Sequence, residues 1–475
     1  MASALDHLAK TDLLFLNWRD PSHPQAGGAE AYCFEIARRF ADAGARVTVF
    51  TARHPGAARS TPWTEGVRIV RGGGTFGVYA AAANHMLRHR HAYDAVVDFQ
   101  NGIPFFSPLF TPRWTADVCV IHHVHQDQFD LWFPWPLSAV GRFMEKRLSK
   151  WVYQGCPVVV VSPSTRESIR RVLGFHNTVH IVPNGAPPPA ETAPSPPAAA
   201  TPTITVVSRL VPQKRLDLLI GALPQLLEEM PDLHLDICGK GDAQRYLEEC
   251  ADQLGVTPSV TFHGHVSEER KQELMSRAWL TVVPSEAEGW GLAVLEANAL
   301  GKPAVAFDVP GLRDSIHDGS TGWLLPPDAD LADGVLDALR RLADPAERQA
   351  WAQRCRQWSA AFSWDRSAER LAAVLTEEVH RIHRHRHSQR RTVDLTVHTR
   401  FRALDGDSME NTLLHALRDT DVWSRHGNSF EAFLYGCDEV QARRALRRLG
   451  VLDEEISFTT LASRKDVLLG GKVTP

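Results

Sequence analysis

The 475-residue sequence lacks several features that mark particular classes of protein. It contains seven cysteines, and none of them belongs to a C-x-x-C pair or a His/Cys cluster. This pattern argues against a disulfide framework and a zinc site, and predicts buried thiols in a reducing compartment. No run of about 18 apolar residues occurs, and the opening MASALDHLAKTD has no apolar core of a signal peptide. We therefore expect a cytoplasmic protein.

An excess of positive charge is also missing. The chain has 52 Lys and Arg residues against 56 Asp and Glu residues, a net charge of −4. We therefore expect no nucleic acid as a partner. One dense basic run, RIHRHRHSQRR, falls within the segment 380–391. We interpret it as a solvated linker, with contact to an anionic membrane surface as the alternative.

The chain does contain a long alternation of short apolar runs and amphipathic stretches. Runs typical of buried strands occur at residues 13–18, 46–51, 94–99, 118–123 and 158–163, and again at 203–209, 233–239, 260–264, 280–285, 303–307 and 321–325. Strands that alternate with helices predict parallel sheets with both faces covered. A Pro- and Ala-rich stretch at 185–202 separates the two series and predicts an extended linker. The sequence thus predicts an α/β protein with two doubly wound, Rossmann-like domains, 1–184 and 203–379, facing a cleft.

A third, smaller unit follows the basic run. Residues 392–475 alternate strand-like and helical segments in the order β-α-β-α-β. This order predicts a small α/β plait, for which we consider a binding or regulatory role.

The strongest group of candidate site residues lies in the segment SEAEGWGLAVLEANALG. A predicted strand ends at its first residue and a helix begins near Leu292, where free N–H groups favour an anion. Gly289 and Gly291 allow a ligand to approach the backbone closely. Glu288 in the loop and Glu296 in the helix can hold different hydroxyl-bearing parts of one ligand, such as a sugar and a ribose. The alternative is a glycine-bounded helix start with solvated acids.

Two further segments carry groups suited to phosphate. In VSRLVPQKRLDLL, Arg209 follows a strand and Lys214 precedes a helix, so both should face the cleft and could neutralise a departing diphosphate. Gly27 and Gly28 precede a helix of the first domain and offer a second backbone site for an anion. The alternatives are two solvated cations and a plain tight turn.

Histidines and a second pair of glycines complete the set of candidates. In VCVIHHVHQDQF, His122, His123 and His125 end a predicted strand, where a histidine could hydrogen-bond a transferred sugar or could be structural. In ICGKGDAQ, Gly239 and Gly241 form a weak phosphate-loop signal, because there is no third glycine and no Ser or Thr follows the lysine.

Together these segments resemble the family 4 glycosyltransferases, which have the GT-B fold, over residues 13–379. SEAEGWGLAVLEANALGKP resembles the E-x7-E signature of that family, VSRLVPQKRLDLL its diphosphate-binding segment, and AGGAE its N-terminal glycine loop. VTFHGHVSEE, which contains Phe262, resembles the stretch that lines the base pocket. FSWDRSAERL resembles the late helix that crosses back to the first domain.

The resemblance implies retaining transfer from a UDP- or GDP-sugar, with no metal and no other cofactor. It implies that Arg209 and Lys214 hold the diphosphate, Glu288 contacts sugar hydroxyls, Glu296 contacts the ribose, and His122 lies beside the transferred sugar. The backbone of the residues from Gly289 through Trp290 to Gly291 would assist Glu288. The leaving phosphate itself would then help to deprotonate the acceptor.

Other interpretations stay open at this stage. The chain could be an epimerase or a sugar phosphorylase on the same fold, or a regulatory protein that binds a nucleotide sugar without turnover. The acceptor could be a small molecule or a lipid-linked one. The aromatic and basic segment 127–151 would suit contact with a membrane surface, or could be an ordinary packed helix. The tail faintly resembles a degenerate GGDEF domain, in which GNSFE at 427–431 replaces the signature.

Overall fold

The fold was analysed in a computed structural model, which describes residues 3–23, 25–186, 198–384, 396–417, 421–435 and 437–462. No disulfide links the cysteines of these residues. None of the helices that the structure describes is both long and apolar enough to cross a bilayer.

The first half of the chain forms one eight-stranded sheet with the order β3-β4-β2-β1-β5-β6-β7-β8. Its strands are β1 (Asp12–Leu16), β2 (Arg46–Ala52), β3 (Ser60–Thr64), β4 (Val67–Gly72), β5 (Ala95–Gln100), β6 (Ala116–Ile121), β7 (Val158–Val160) and β8 (Val179–Ile181). Its helices are α1 (Gly28–Asp42), α2 (Val78–Arg88), α3 (Phe129–Trp132), α4 (Leu137–Phe143), α5 (Ser149–Val152) and α6 (Pro163–Ser168). Single π-helical turns join α4 to α5 and extend α6. All neighbouring strands are parallel except β3 and β4.

Both faces of this sheet are covered, as the apolar runs predict. In β1, Leu13 and Phe15 pack into the core beneath α1, whereas Leu14 and Leu16 pack into the core beneath α2. A strand whose side chains are buried on both faces has no polar alternation, which is why the run is continuously apolar. The strands β3, β4 and β8 were not predicted. The sequence of β3, STPWT, is exposed and contains a proline, so it carries little signal of a strand.

The second half repeats the same design. Its strands are β9 (Thr203–Val207), β10 (His234–Cys238), β11 (Val260–Gly264), β12 (Thr281–Val283), β13 (Ala304–Phe307) and β14 (Gly322–Leu325). Its helices are α7 (Leu216–Glu229), α8 (Gln244–Gln253), α9 (Glu268–Arg277), α10 (Leu292–Ala299), α11 (Leu312–Ser315), α12 (Leu331–Leu342), α13 (Pro345–Ser359) and α14 (Trp364–Arg384). The ladders β11-β10-β9 and β12-β13-β14 are joined by a parallel bridge between Ile204 and Leu280. The resulting order is that of a doubly wound sheet, so the predicted fold class is confirmed.

Helix α14 connects the two halves. Its residues Trp364, Ala368 and Leu371 are buried in the core of the first half, together with Tyr32 and Phe40 of α1. The late helix therefore crosses back, as the family resemblance implies. Much of the predicted linker 185–202 lies outside the described residues. The predicted basic linker 380–391 lies partly in α14, which continues to Arg384, and its remaining residues are outside the described ones.

The third unit is a four-stranded antiparallel sheet with two helices. Its elements are β15 (Thr396–Arg402), α15 (Gly406–Ala416), β16 (Val422–His426), β17 (Ser429–Tyr435), α16 (Glu439–Arg448) and β18 (Ile456–Leu461). The strand order is β16-β17-β15-β18. The predicted order β-α-β-α-β was wrong by one strand, because β16 and β17 form a hairpin. The turn of this hairpin is Gly427-Asn428, in which Gly427 has a left-handed φ of 61°.

Candidate active site

The two halves meet where the strand-end loops of one sheet face those of the other. His122 follows β6 in the first half, and Gly289 follows β12 in the second. The Thr165 hydroxyl donates to the carbonyl of His122 at 3.0 Å and lies 3.5 Å from the carbonyl oxygen of Gly289. A Cβ atom built on Gly289 would lie 2.7 Å from the His122 carbonyl oxygen. Glycine is therefore required here, because the halves approach through their backbones.

Lys214 and Glu288, which the sequence placed in separate motifs, form an ion pair in the structure. The Ser285 hydroxyl donates to the same carboxylate oxygen at 2.8 Å. The Glu286 N–H donates to the Gln213 carbonyl at 3.1 Å, which fastens one loop to the other. The side chains of Lys214 and Glu288 are both about four-fifths buried. The lysine and the acid thus have fixed positions at the wall of the cleft.

Arg209 reaches across the cleft to the glycine loop of the first half. Its Nε atom lies 3.6 Å from the position that a Cβ atom of Gly27 would occupy. The N–H of Gly27 donates to the Glu30 carboxylate at 2.8 Å, so one acid of the protein already occupies this helix start. Burial lowers the pKa of Arg19; the nearby charge of Glu30 opposes that shift and that of Arg209 adds to it. Arg19 is therefore another cation of the cleft.

The histidines differ in their surroundings. His122 is 9% exposed, its ring packs edge-on against Tyr32 with centroids 5.0 Å apart, and its Nε2 has no partner among the described residues. Burial, and secondarily the charge of His125, lowers its pKa to about 4. Burial also lowers the pKa of His123, and the charges of the neighbouring histidines and of Lys214 and Arg209 act in the same direction. Both rings are therefore neutral near pH 7.

His125 is held differently from the other two histidines. Its ring stacks on His123 with centroids 3.8 Å apart. Its backbone N–H donates to the buried carboxylate of Glu145 at 2.7 Å. Of the three histidines, His122 is the one whose backbone meets the second half, at Gly289.

Glu296 lies on α10 and belongs to a separate ion-pair cluster. Lys271 of α9 is 3.1 Å from Glu296 and 2.7 Å from Glu268. Burial raises the pKa of Glu296, and the charge of Lys271 opposes that shift. Helix α10 begins after Gly291, whose φ of 89° is left-handed. Glu296 is therefore held by Lys271 within the second half.

The remaining predicted residues mostly shape the wall. Cβ atoms on Gly239 and Gly241 would lie 1.8 Å from the Ser208 carbonyl oxygen and 2.1 Å from that of Leu210. These glycines therefore allow the loop after β10 to pack against the loop that carries Arg209.

Three other predicted residues have different environments. The side chain of Trp290 is buried against Phe362, with ring centroids 5.1 Å apart, so only its backbone can face a ligand. Leu292 lies 3.7 Å from the Cβ position of Gly28, across the cleft. Phe262 lies on β11 and is half-buried.

Several residues that organise the site were missed by sequence reasoning. Arg19 carried a signal, because it directly follows the apolar run of β1. Lys271 and Thr165 carried none, because each acts on a partner from another part of the chain. Ser285 acts on Glu288, only three residues later, but a serine at a strand end carries no specific signal of such a bond.

Comparisons with known proteins identify the family and the fold of the chain. Profiles described as "Glycosyltransferase Family 4" and "Glycosyl transferases group 1" match residues 26–188 and 190–358. A GDP-mannose-dependent alpha-(1-6)-phosphatidylinositol monomannoside mannosyltransferase of Mycolicibacterium smegmatis is 30% identical over 261 residues, which are 51% of this chain and 67% of that enzyme. A glycogen synthase of Mycobacterium tuberculosis is 30% identical over 266 residues, 54% of this chain and 63% of that enzyme.

A solved structure is similar in fold. Sucrose-phosphate synthase from Thermosynechococcus elongatus superposes with a TM-score of 0.64 at 22% identity, over 77% of this chain and 98% of that one. Neither family profile reaches the four-stranded unit at the C-terminal end. The likeness of that unit to a GGDEF domain therefore stays a prediction.

Proposed function

Because the chain belongs to the family 4 glycosyltransferases and has the GT-B fold, we propose that it moves a sugar from a nucleoside-diphosphate sugar to an acceptor with retention of configuration and without a metal ion. One observation carries this proposal. Where the halves meet, Arg209 lies against Gly27 of the first half, and Gly289, the neighbour of Glu288, lies against the carbonyl of His122. Lys214 is held at the same loop by its ion pair with Glu288.

The chemistry of the leaving group follows from the cations. A diphosphate that departs from the sugar carries charge that must be stabilised in the transition state. Lys214, Arg209 and Arg19 supply positive charge from both walls of the cleft. Fixed charges in a closed site cost no reorganisation during the reaction, and this is the support for metal-free transfer. The leaving phosphate is then the base that accepts the acceptor's proton.

Glu288 and the histidines suit the sugar end of the donor. A diphosphate competes with Glu288 for Lys214, and the freed carboxylate, still held by Ser285, can accept from sugar hydroxyls. We place His122 beside the transferred sugar, because buried polar atoms are normally satisfied and its Nε2 has no partner in the described residues. His123, whose ring lies 3.2 Å from the Gln128 amide, is a second contact. Glu296 and Phe262 belong to the ribose and base end of the same donor.

The donor class is narrowed by one relative. The mycobacterial mannosyltransferase is named for GDP-mannose. A guanosine diphosphate sugar is therefore our first candidate and a uridine diphosphate sugar the second.

The acceptor is narrowed by the surface of the first half. Trp135 is 81% exposed, and Phe143 and Trp151 are each 58% exposed, with Lys146 and Lys150 exposed beside them. Exposed aromatic rings next to basic side chains suit the boundary of an anionic lipid layer. A lipid-linked acceptor reached by peripheral membrane contact is therefore favoured over a small soluble one.

The C-terminal unit is proposed to regulate the transferase through α6. Glu439 of α16 is buried and lies 3.3 Å from both Arg166 and Arg170, which belong to α6 and its extension. At the other end of α6, the Ser164 N–H donates to Asp314 across the cleft at 3.1 Å, and Thr165 bonds the His122 carbonyl. One short helix thus touches both the small sheet and the point of closure.

A thermal-shift screen with GDP, UDP, ADP and their sugars, without added metal, tests the proposal. A ligand that binds only the folded state raises the melting temperature by mass action. We expect a shift with one nucleotide family that is lost in Lys214→Ala. No shift with any nucleotide would count against the donor site.

Product analysis then separates the rival enzymes. Transfer leaves a glycosylated acceptor and free nucleoside diphosphate. An epimerase would return a nucleotide sugar without any acceptor, and a phosphorylase would require inorganic phosphate. Nucleotide binding without turnover over a wide acceptor panel would favour the regulatory protein.

A further inference from the structure

A second pocket lies on the side of the second half that faces away from the cleft. Its volume is about 160 Å³. It is lined by the residues just before β12 and β13, including Trp279 and Lys302, and by Arg348 on α13. The cleft residues follow the carboxyl ends of the strands, whereas these residues precede the amino ends. The pocket is therefore separated from the donor site by the length of the sheet.

Three cations surround this pocket. Lys302 and Arg348 line it, and the guanidinium of Arg356 lies directly against the backbone of Gly301 at its edge. Within the described part of the chain, none of the three forms an ion pair with a carboxylate. Burial, and secondarily the charges of Arg348 and Arg356, lowers the pKa of Lys302 to about 8. Unbalanced like charges around a half-buried lysine are costly, and an anion between them would relieve that cost.

The guanidinium of Arg348 is already held for binding. It stacks over the Trp279 ring at 4.2 Å from the ring centroid, and its Nη1 donates to the Leu342 carbonyl at 3.0 Å. The Trp279 indole is fixed in turn, because its N–H donates to the Ala199 carbonyl at 2.8 Å. A fixed guanidinium with donors to spare matches the geometry of a phosphate group.

We propose that this pocket binds the phosphate group of a small anion other than the nucleotide sugar. Its volume corresponds to about five water molecules at ~30 Å³ each. That space admits inorganic phosphate or the phosphate end of a compact monoester. It is well below the ~300 Å³ at which sites for drug-sized ligands begin, so the pocket suits a small anion better than a nucleotide.

Isothermal titration calorimetry on the full chain tests this site. The titration uses Arg209→Ala/Lys214→Ala protein, so that the cleft cations do not contribute to the measured heat. We expect saturable binding of inorganic phosphate or of glycerol 3-phosphate at one site, and the tighter of the two identifies the source of the phosphate group. Loss of a charged hydrogen bond in Arg348→Gln or Lys302→Met should weaken binding by about tenfold or more.

Controls separate the pocket from general electrostatics and from the proposed donor site. Arg245→Gln removes an exposed cation of α8, paired with Glu249 in the same half, and should leave phosphate binding unchanged. Arg356→Gln, on an exposed side chain, replaces Arg348→Gln if loss of the Trp279 contact impairs folding. In otherwise wild-type protein, Arg348→Gln should not alter the thermal shift produced by nucleotides. The proposal is overturned if neither phosphate compound binds, or if binding survives both Lys302→Met and Arg356→Gln unchanged.

Discussion

Replacing Gly289 with alanine should block the closure of the two halves. The backbone of Gly289 does not have a left-handed φ, so an alanine can adopt its conformation without strain. The added Cβ atom would lie 2.7 Å from the carbonyl oxygen of His122, whereas ordinary contacts begin at 3.4 Å. The loop and β6 must therefore separate by about 0.7 Å, the difference between these two distances.

This displacement is enough to affect catalysis. His122 and Thr165 belong to the first half, and Glu288 belongs to the second, so the shift changes the distance between the two walls of the site. A misplacement of about 1 Å between reacting groups can cost roughly a hundredfold in rate. We therefore expect kcat/KM for transfer to fall by between about ten- and a hundredfold, with faster amide exchange in the loop that carries Gly289.

A glycine from the same half provides the control. Gly221 lies within α7 and has nothing within 4 Å of its Cβ position, so Gly221→Ala should leave transfer unchanged. It should also stabilise the protein by up to about 1 kcal/mol, because alanine favours a helix. Wild-type kcat/KM and unchanged amide exchange in Gly289→Ala would refute the idea that this backbone contact sets the closure.

Further predictions concern charge. Lys214→Ala should lower kcat by about a hundredfold or more, because one fixed donor to the leaving group is lost. The fold should survive with a lower melting temperature, because Glu288 is left without its cation. Wild-type turnover would remove Lys214 from the site. A chelator should leave transfer intact, and strong inhibition by EDTA would contradict metal-free chemistry. Burial raises the pKa of Asp117 to about 7, so the folded state binds this proton more tightly than the unfolded state does. The contribution of Asp117 to wild-type stability therefore falls as pH rises from about 4 to 7. Asp117→Asn should raise the melting temperature at pH 8 but not at pH 4, and an equal effect at both pH values would contradict this cause. Glu439→Gln leaves Arg166 and Arg170 without their buried carboxylate and should loosen the C-terminal unit. We expect faster amide exchange in that unit together with an altered kcat. Faster exchange with an unchanged kcat would contradict regulation through α6.

The sequence was most informative where one element carries its own signal. Continuous apolar runs predicted β1, β2, β5, β6 and β7 of the first sheet and β9 to β14 of the second, because burial on two faces leaves no room for polar residues. The doubly wound order then follows, since strands that alternate with helices have few ways to cover a sheet. The proximity of Lys214 and Glu288 could also be expected, because each lies in a loop that follows a strand and such strand ends meet at one edge.

The sequence was least informative where a residue depends on a distant partner. Nothing in the segment around Lys271 predicts that it holds Glu296, and nothing around Thr165 predicts its bond to the His122 carbonyl. Strand β16 was not predicted from the sequence, for a similar reason. VWSRH alternates weakly by itself, and only its pairing with β17 through the Gly427 turn makes it a strand.

The structure also explains why a cleft with several cations can stay closed. Arg19, Arg209 and Lys214 would repel one another if no negative charge lay between them. Glu288 pairs with Lys214, while Glu30 accepts from the N–H of Gly27 and lies close enough to Arg19 to oppose the lowering of its pKa. The diphosphate of the proposed donor would therefore have to replace carboxylates that belong to the protein. Its binding is an exchange of one anion for another, so affinity should rise with the charge of the phosphate chain. Nucleoside diphosphates should accordingly bind more tightly than the monophosphates, which have less charge to offer to these cations.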